Sequence, residues 1–212
     1  MNNPYDQRTD YNLNHPLEAE NLDKDPFKEF DHWYKIALTK VVKDPNAMIL
    51  STYNGEFPRG RVVLLKELDE KGFVYFTNYE SDKVQEGVAH PKASLTFFWK
   101  ELERQVRVEG VLEKTTRKES DAYFMSRPLG SRLGAWASPQ SKEIPNRKFL
   151  EDKIKELSGE FKDEVVRPPH WGGLRLVPVR FEFWQGAASR LHDRIVYEKD
   201  ENVGWVKKRL AP

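Results

Sequence analysis

Arg104-Gln105-Val106-Arg107-Val108-Glu109 is the stretch that decides the fold. Val106 and Val108 share one face of an extended segment and Gln105, Arg107 and Glu109 the other, the two-residue period of a half-buried strand. The strand runs from Arg104 to Glu113, and similar stretches flank it. Ala47 to Tyr53, Arg61 to Glu67, Phe73 to Thr77 and Ser94 to Trp99 come before it; Leu174 to Trp184, Arg194 to Glu198 and Val203 to Lys208 come after. Asn54-Gly55 is a hairpin signal. Helical patterns interrupt the strands. Asp25-Pro26 supplies a cap and a first-turn proline, Phe27, Phe30, Tyr34, Ile36, Leu38, Val41 and Val42 follow at roughly helical spacing, and Asp44-Pro45 ends the run. Ser81 can cap a short helix through Ala89, and further helices are predicted over Arg117 to Ser126 and Asn146 to Ser158. Seven or eight short strands with three or four helices between them predict a mainly β fold, a barrel decorated by helices, not a doubly wound sheet. Residues 1–24 are polar without a period and read as a flexible N-terminal arm; residues 25–212 read as a single domain.

Composition narrows the function. The 212 residues carry 35 basic and 34 acidic side chains, a net charge of +1, which argues against a general nucleic-acid binder. There is no cysteine, hence no disulfide, thiolate metal site or cysteine nucleophile. Aromatics make up 12 %, six of them Trp, enough to fill a core and also to line a flat ligand site. The polar start MNNPYDQRTDYNLN lacks the marks of a signal or transit peptide, and no apolar run spans a bilayer, so a cytoplasmic chain with no membrane partner is expected. No GxGxxG turn, P-loop, HExxH or GxSxG elbow is present, and the five histidines have no metal-ligand spacing, so no metal is expected.

Several constellations remain, each with an ordinary structural alternative. Arg61-Val62-Val63-Leu64-Leu65-Lys66 is an apolar strand between two cations, which alternation places on opposite faces; it suits two phosphate groups, or a buried strand with solvated ends. Thr77, Ser81 and Lys83 gather hydroxyls, a helix start and an ammonium, an anion site or a capped surface helix. Tyr123, Arg127 and Ser131 are spaced by four, a phosphate grip or a solvated helix face. Gln105 lies mid-strand on a polar face, and Gln140-Ser141 in a polar loop. Phe183-Trp184-Gln185-Gly186 followed by Arg190-Leu191-His192-Asp193-Arg194 puts two arginines and a histidine after an aromatic strand, a wall for an electron-rich aromatic ligand or a charged hairpin.

Taken in order, RVVLLK, FTN with a following SxK, ERQVRVEG, YFxSRPxxS, GAWAS with QS, FWQG with RLHDR, and the terminal Arg209-Leu210-Ala211-Pro212 resemble the pyridoxamine 5'-phosphate oxidase family, also called pyridoxine 5'-phosphate oxidase. The resemblance covers nearly the whole chain from about residue 25. It implies an FMN-binding split β-barrel, a homodimer with FMN at the subunit interface, and oxidation of pyridoxamine 5'-phosphate and pyridoxine 5'-phosphate by molecular oxygen to pyridoxal 5'-phosphate, with hydrogen peroxide and, from the amine, ammonia. It implies FMN contacts from Arg61, Val62, Val63, Leu64, Leu65, Lys66, Phe76, Thr77, Lys83, Gln105, Gln140, Ser141, Trp184 and Arg194. The substrate phosphate falls to Lys66, Tyr123, Arg127 and Ser131, and the pyridine ring to Arg190 and His192, the two implied catalytic residues. Arg8 and Tyr11 resemble the family's mobile substrate cover. One departure stands out: where the family often has a basic residue before the lysine of SxK, this chain has Asp82, expected to point outward and leave the flavin phosphate to Lys83 and Arg61. Two competing readings are a flavin reductase using a nicotinamide donor, which does not need the substrate-phosphate set, and a non-catalytic vitamer- or flavin-binding module, which does not need Arg190 and His192.

Overall fold

The computed structural model describes residues 10–11, 16–41, 43–161 and 164–212. Among these residues nine strands and five α-helices make a mostly β fold with helices. The order is α1 (Pro26–Lys40), β1 (Ala47–Tyr53), β2 (Pro58–Leu64), β3 (Glu67–Asp69), β4 (Gly72–Asn78), α2 (Asp82–Ala89), β5 (Lys92–Trp99), β6 (Arg104–Lys114), α3 (Arg117–Ser126), α4 (Leu129–Ala137), α5 (Arg147–Phe161), β7 (Trp171–Gln185), β8 (Asp193–Asp200) and β9 (Gly204–Leu210). The strands form one sheet in the order β2-β1-β5-β6-β7-β4-β3, with β8 paired to β7 and β9 to β8. The β3–β4, β4–β7, β7–β8 and β8–β9 pairs are antiparallel. No helix among the described residues is long and apolar enough to cross a membrane.

The chain divides into two compact units, the first made of the segments up to Ile49, Ser94–Glu109 and Pro178–Pro212, the second of Leu50–Ala93 and Gly110–Val177. The first unit is built around α1. Asp25 accepts a hydrogen bond from the Phe27 N–H and Pro26 occupies the first turn, as the sequence predicts. Phe30, Trp33 and Ala37 recur at helical spacing and are buried. Trp33 meets Phe183 edge-on at 5.1 Å, and Phe30 packs on Phe97 at 4.9 Å. Burying a side chain such as Phe30 is worth about 1.5–3 kcal/mol.

The second unit gathers Phe124, Leu133, Ala135, Ala137, Leu157, Val165 and Trp171 into one core cluster, so α3, α4, α5 and the start of β7 share an apolar centre. Arg175 on β7 is nearly buried and reaches Asp69 on β3 at 2.6 Å and Glu119 on α3 at 2.8 Å, which pins that helix to the sheet. A Cβ at Gly172 or Gly173 would stand 2.1 Å from the Tyr79 hydroxyl or 2.4 Å from Thr115 Oγ1. Glycine is therefore required at both positions for the chain to approach so closely.

The observed elements depart from the expected ones in three places. α1 ends at Lys40, short of Asp44-Pro45: the Val41 N–H closes on Ala37 O, and Asp44 turns the chain at φ +50. Val42 lies outside the described residues. β2 spans Pro58–Leu64, not Arg61 to Glu67, and Glu67–Asp69 forms the separate β3. Lys66 therefore sits between two strands, its N–H bonded to Val74 O, and strand alternation does not separate it from Arg61. α4 was not expected; its Gly130 and Gly134 weaken the helical signal.

Candidate active site

In the second unit, a cavity of about 490 Å³ opens beside β2, β4 and α3. Val62, Val63 and Leu64 give it an apolar wall, whereas Leu65 is buried in the core. Its polar groups fall into two sets.

The first set surrounds Lys83, in the first turn of α2. The ammonium donates to Thr77 Oγ1 at 3.1 Å, Ser81 Oγ at 3.0 Å and Gln140 Oε1 at 2.9 Å, while the Thr77 hydroxyl donates to the same Gln140 oxygen at 3.0 Å. Ser81 precedes α2 but does not cap it; its hydroxyl donates to Asn78 O. Burial, followed by the charge of Arg61, lowers the Lys83 pKa to about 8, against the opposing pull of Asp82 and Glu86. Ser141, in the left-handed region at φ +69, accepts from the Asp82 N–H at 3.3 Å.

Arg61 is directed elsewhere. Its guanidinium donates to Glu86 Oε2 at 2.9 Å, to Thr52 Oγ1 and to Leu50 O at 3.5 Å, and it does not line the cavity. Glu86 is nearly buried, and burial alone would raise its pKa; hydrogen bonds from Thr52 and Arg61 and the charges of Arg61 and Arg59 outweigh that and hold the carboxyl below its ordinary value. Arg59 lies 3.1 Å from Glu86 and 3.5 Å from Asp82, so Asp82 turns towards Arg59.

The second set is Lys66, Tyr123, Arg127 and Ser131, all lining the same cavity. Tyr123 stacks on Phe76, ring centroids 3.8 Å apart, and both rings lie nearly parallel to Trp171. The Arg127 guanidinium sits 4.5 Å over the Trp171 ring, and its Nη1 is buried without a hydrogen-bond partner among the described residues. Burial lowers the Arg127 pKa. An unpaired buried donor carries a desolvation cost that an anion in the cavity would relieve. Ser131 lies in the first turn of α4. A larger cavity of about 750 Å³ is lined by other residues, among them Tyr79, Ser120 and Arg167, but Arg167 is already bonded to Asp121 and to the carbonyls of Pro168 and Trp171.

In the first unit, Trp184 on β7 pairs with Arg194 on β8. The His192 ring lies 4.8 Å from Trp184, and Tyr11 meets both edge-on at 5.6 Å. The Ala187 N–H donates to His192 Nδ1 at 3.1 Å, which leaves the proton of the neutral ring on Nε2. Arg190 is exposed, and it and Ser189 take consecutive left-handed conformations, at φ +61 and φ +55. Arg194 donates to both oxygens of the buried Glu182, at 3.1 and 3.2 Å, and to Ala211 O at 2.9 Å. Gln105 is half-buried on β6. Arg8 lies outside the described residues.

Trp171, Glu86 and Glu182 were not among the expected site residues. Trp171 had one readable signal, the two close-packed glycines that follow it; the glutamates read as ordinary charges on a helix and a strand.

The family model described as pyridoxamine 5'-phosphate oxidase matches residues 35–160, and that described as the pyridoxine 5'-phosphate oxidase C-terminal dimerisation region matches residues 171–212. The pyridoxine/pyridoxamine 5'-phosphate oxidase of Paraburkholderia phymatum is 51 % identical over 208 residues, with 98 % of each chain covered. Its counterpart in Burkholderia thailandensis is 53 % identical over 210 residues, also with 98 % of each covered. Among solved structures, PhzG from Burkholderia lata 383, in complex with tetrahydrophenazine-1-carboxylic acid, superposes with a TM-score of 0.87 at 28 % identity, covering 93 % of this chain and 98 % of that one. A pyridoxamine 5'-phosphate oxidase-related, FMN binding protein from Nostoc punctiforme shares the fold, with a TM-score of 0.70 at 16 % identity over 89 % of this chain and 98 % of that one. The fold is therefore the expected split-barrel type, and the chain belongs to the pyridoxamine 5'-phosphate oxidase family of oxidoreductases.

Proposed function

We propose that the chain uses FMN and molecular oxygen to oxidise pyridoxamine 5'-phosphate and pyridoxine 5'-phosphate to pyridoxal 5'-phosphate, releasing hydrogen peroxide and, from the amine, ammonia. The observation that carries this reading is the buried Nη1 of Arg127, unpartnered among the described residues, in a cavity it shares with Lys66, Tyr123 and Ser131, a donor set suited to a phosphate ester. The names of the relatives at 51 and 53 % identity support the same substrates.

The residues present also fit FMN. The Lys83 ammonium with the Thr77 hydroxyl and Gln140 amide supplies donors for a flavin phosphate and a polar ring edge, and Trp184 and Arg194 supply an aromatic face and a fixed cation. When bound, FMN is the two-electron acceptor that oxygen regenerates. The chain contributes binding and orientation. Arg127, Lys66, Tyr123 and Ser131 hold the substrate phosphate, a group remote from the reacting carbon, so its binding energy fixes the pose of the ring. His192 offers its Nε2 proton, and Arg190 its guanidinium, to the polar substituents of that ring. The C-terminal region matched by the dimerisation model supports a homodimer; FMN at the subunit interface belongs to the same proposal.

The test is aerobic turnover of the FMN-loaded protein with pyridoxamine 5'-phosphate, following aldehyde and peroxide together. Equal amounts of both establish the oxidase. A yellow protein that forms neither, from the amine or the alcohol, removes the reading in favour of a reductase or a binding module.

A further inference from the structure

We propose that Trp171 is the positioning residue for the phosphate grip: its indole face holds the Arg127 guanidinium so that Nη1 is presented to the substrate phosphate. The inference rests on the reading of Arg127 given above, and it adds a residue to which no role has been assigned.

Trp171 is itself held rigidly. It opens β7 opposite Asn78 on β4. Its N–H donates to Pro168 O at 3.2 Å, and its carbonyl accepts from Arg167 Nη1 at 2.5 Å. Trp171 is only 6 % exposed, and its ring packs edge-on against Phe124 at 5.2 Å. Arg127, by contrast, follows the last turn of α3 and has a long side chain with many rotamers. No carboxylate is paired with it among the described residues; its guanidinium has the Trp171 ring at 4.5 Å and the Phe124 ring at 5.6 Å. A carboxylate partner would fix the guanidinium but would also neutralise the charge that a phosphate needs. An aromatic face fixes its plane and leaves the donors and the charge available. The same indole lies nearly parallel to Phe76, which stacks on Tyr123, so this fixed ring also borders the stack that carries a second phosphate ligand.

A desolvated cation–π contact is worth roughly tenfold or more in an equilibrium constant. Trp171→Phe keeps a smaller aromatic face, and Trp171→Leu keeps volume without one. Calorimetric titration with inorganic phosphate and with pyridoxamine 5'-phosphate is expected to show affinity falling in the order Trp, Phe, Leu, by roughly tenfold at Leu, with KM rising more than kcat falls. In an Arg127→Ala background, Trp171→Leu is expected to cause little further loss, because the residue it positions is gone. Thermal melts identify the folded variants, and Trp171→Phe carries the test if the leucine variant does not fold. Phosphate affinity unchanged in a folded variant, or an equal loss with and without Arg127, overturns the proposal. Failure of the wild-type protein to oxidise either substrate counts against the oxidase reading alone, since the phosphate titration needs no turnover.

Discussion

Lys83 combines a charge with an environment that resists it. Its hydrogen bonds go to the three uncharged oxygens of Thr77, Ser81 and Gln140, and burial brings its pKa to about 8. The cation is complete below that value and is lost above it, so the affinity of the apoprotein for FMN is expected to fall as pH rises from about 7 to about 9. Lys83→Gln should flatten that profile, as measured by quenching of flavin fluorescence. In the unfolded chain the lysine keeps its proton up to about 10.5, so this group's own contribution to folding stability rises with pH between about 8 and 10.5. Arg190 bears on a different step. Arg190→Ala is expected to lower turnover roughly a hundredfold, the scale of a group acting in the transition state, while FMN affinity stays within about threefold; unchanged turnover removes its assigned role.

Among the elements, α3 carries both Tyr123 and the turn into Arg127, and its start is fixed by a capping box. The Thr116 hydroxyl accepts from the Glu119 N–H at 3.2 Å, and the Glu119 carboxylate accepts from the Thr116 N–H at 2.7 Å. Thr116→Ala should cost about 1 kcal/mol in a urea melt. The hydrogen bonds from Thr116 and Arg175 depress the Glu119 pKa to about 2. A carboxyl with a depressed folded pKa contributes stability that is present above the ordinary carboxylate range and lost as pH falls towards about 2. Between pH 6 and pH 3 the wild type should therefore lose more stability than Glu119→Gln. The span of this helix was legible in the sequence, as were β1 and α2, because helical spacing, prolines and two-residue alternation are local signals, although Ser81 precedes α2 without capping it. α4 was hidden by Gly130 and Gly134, and the register of β2 by an apolar run that continues past Leu64 to Leu65. Within the site, spacing by four brought Tyr123, Arg127 and Ser131 to notice. Trp171 did not stand out, because its position matters only once α3, β4 and β7 have brought Arg127 and Tyr123 to it. Arg61 read as a phosphate ligand because nothing local foretold that Glu86, on another element, would bind its guanidinium.

For the molecule as a whole, the match of residues 171–212 to a dimerisation region makes oligomeric state the property to measure first. Light scattering of the FMN-loaded protein at micromolar concentration should give twice the 24.9 kDa of the chain, and a monomer under those conditions removes the dimer from the proposal. The left-handed pair Ser189 and Arg190 has a consequence for how the protein can be improved. Non-glycine residues in that conformation cost about 1 kcal/mol each. Ser189→Gly should raise the midpoint of thermal unfolding by a few degrees, roughly 2–4 °C for a chain of this size, and Arg190→Gly by a similar amount. A laboratory selection for heat resistance alone would therefore enrich glycine at both positions and return a hardier but slower protein. Screening for turnover as well would keep the arginine and admit glycine only at position 189.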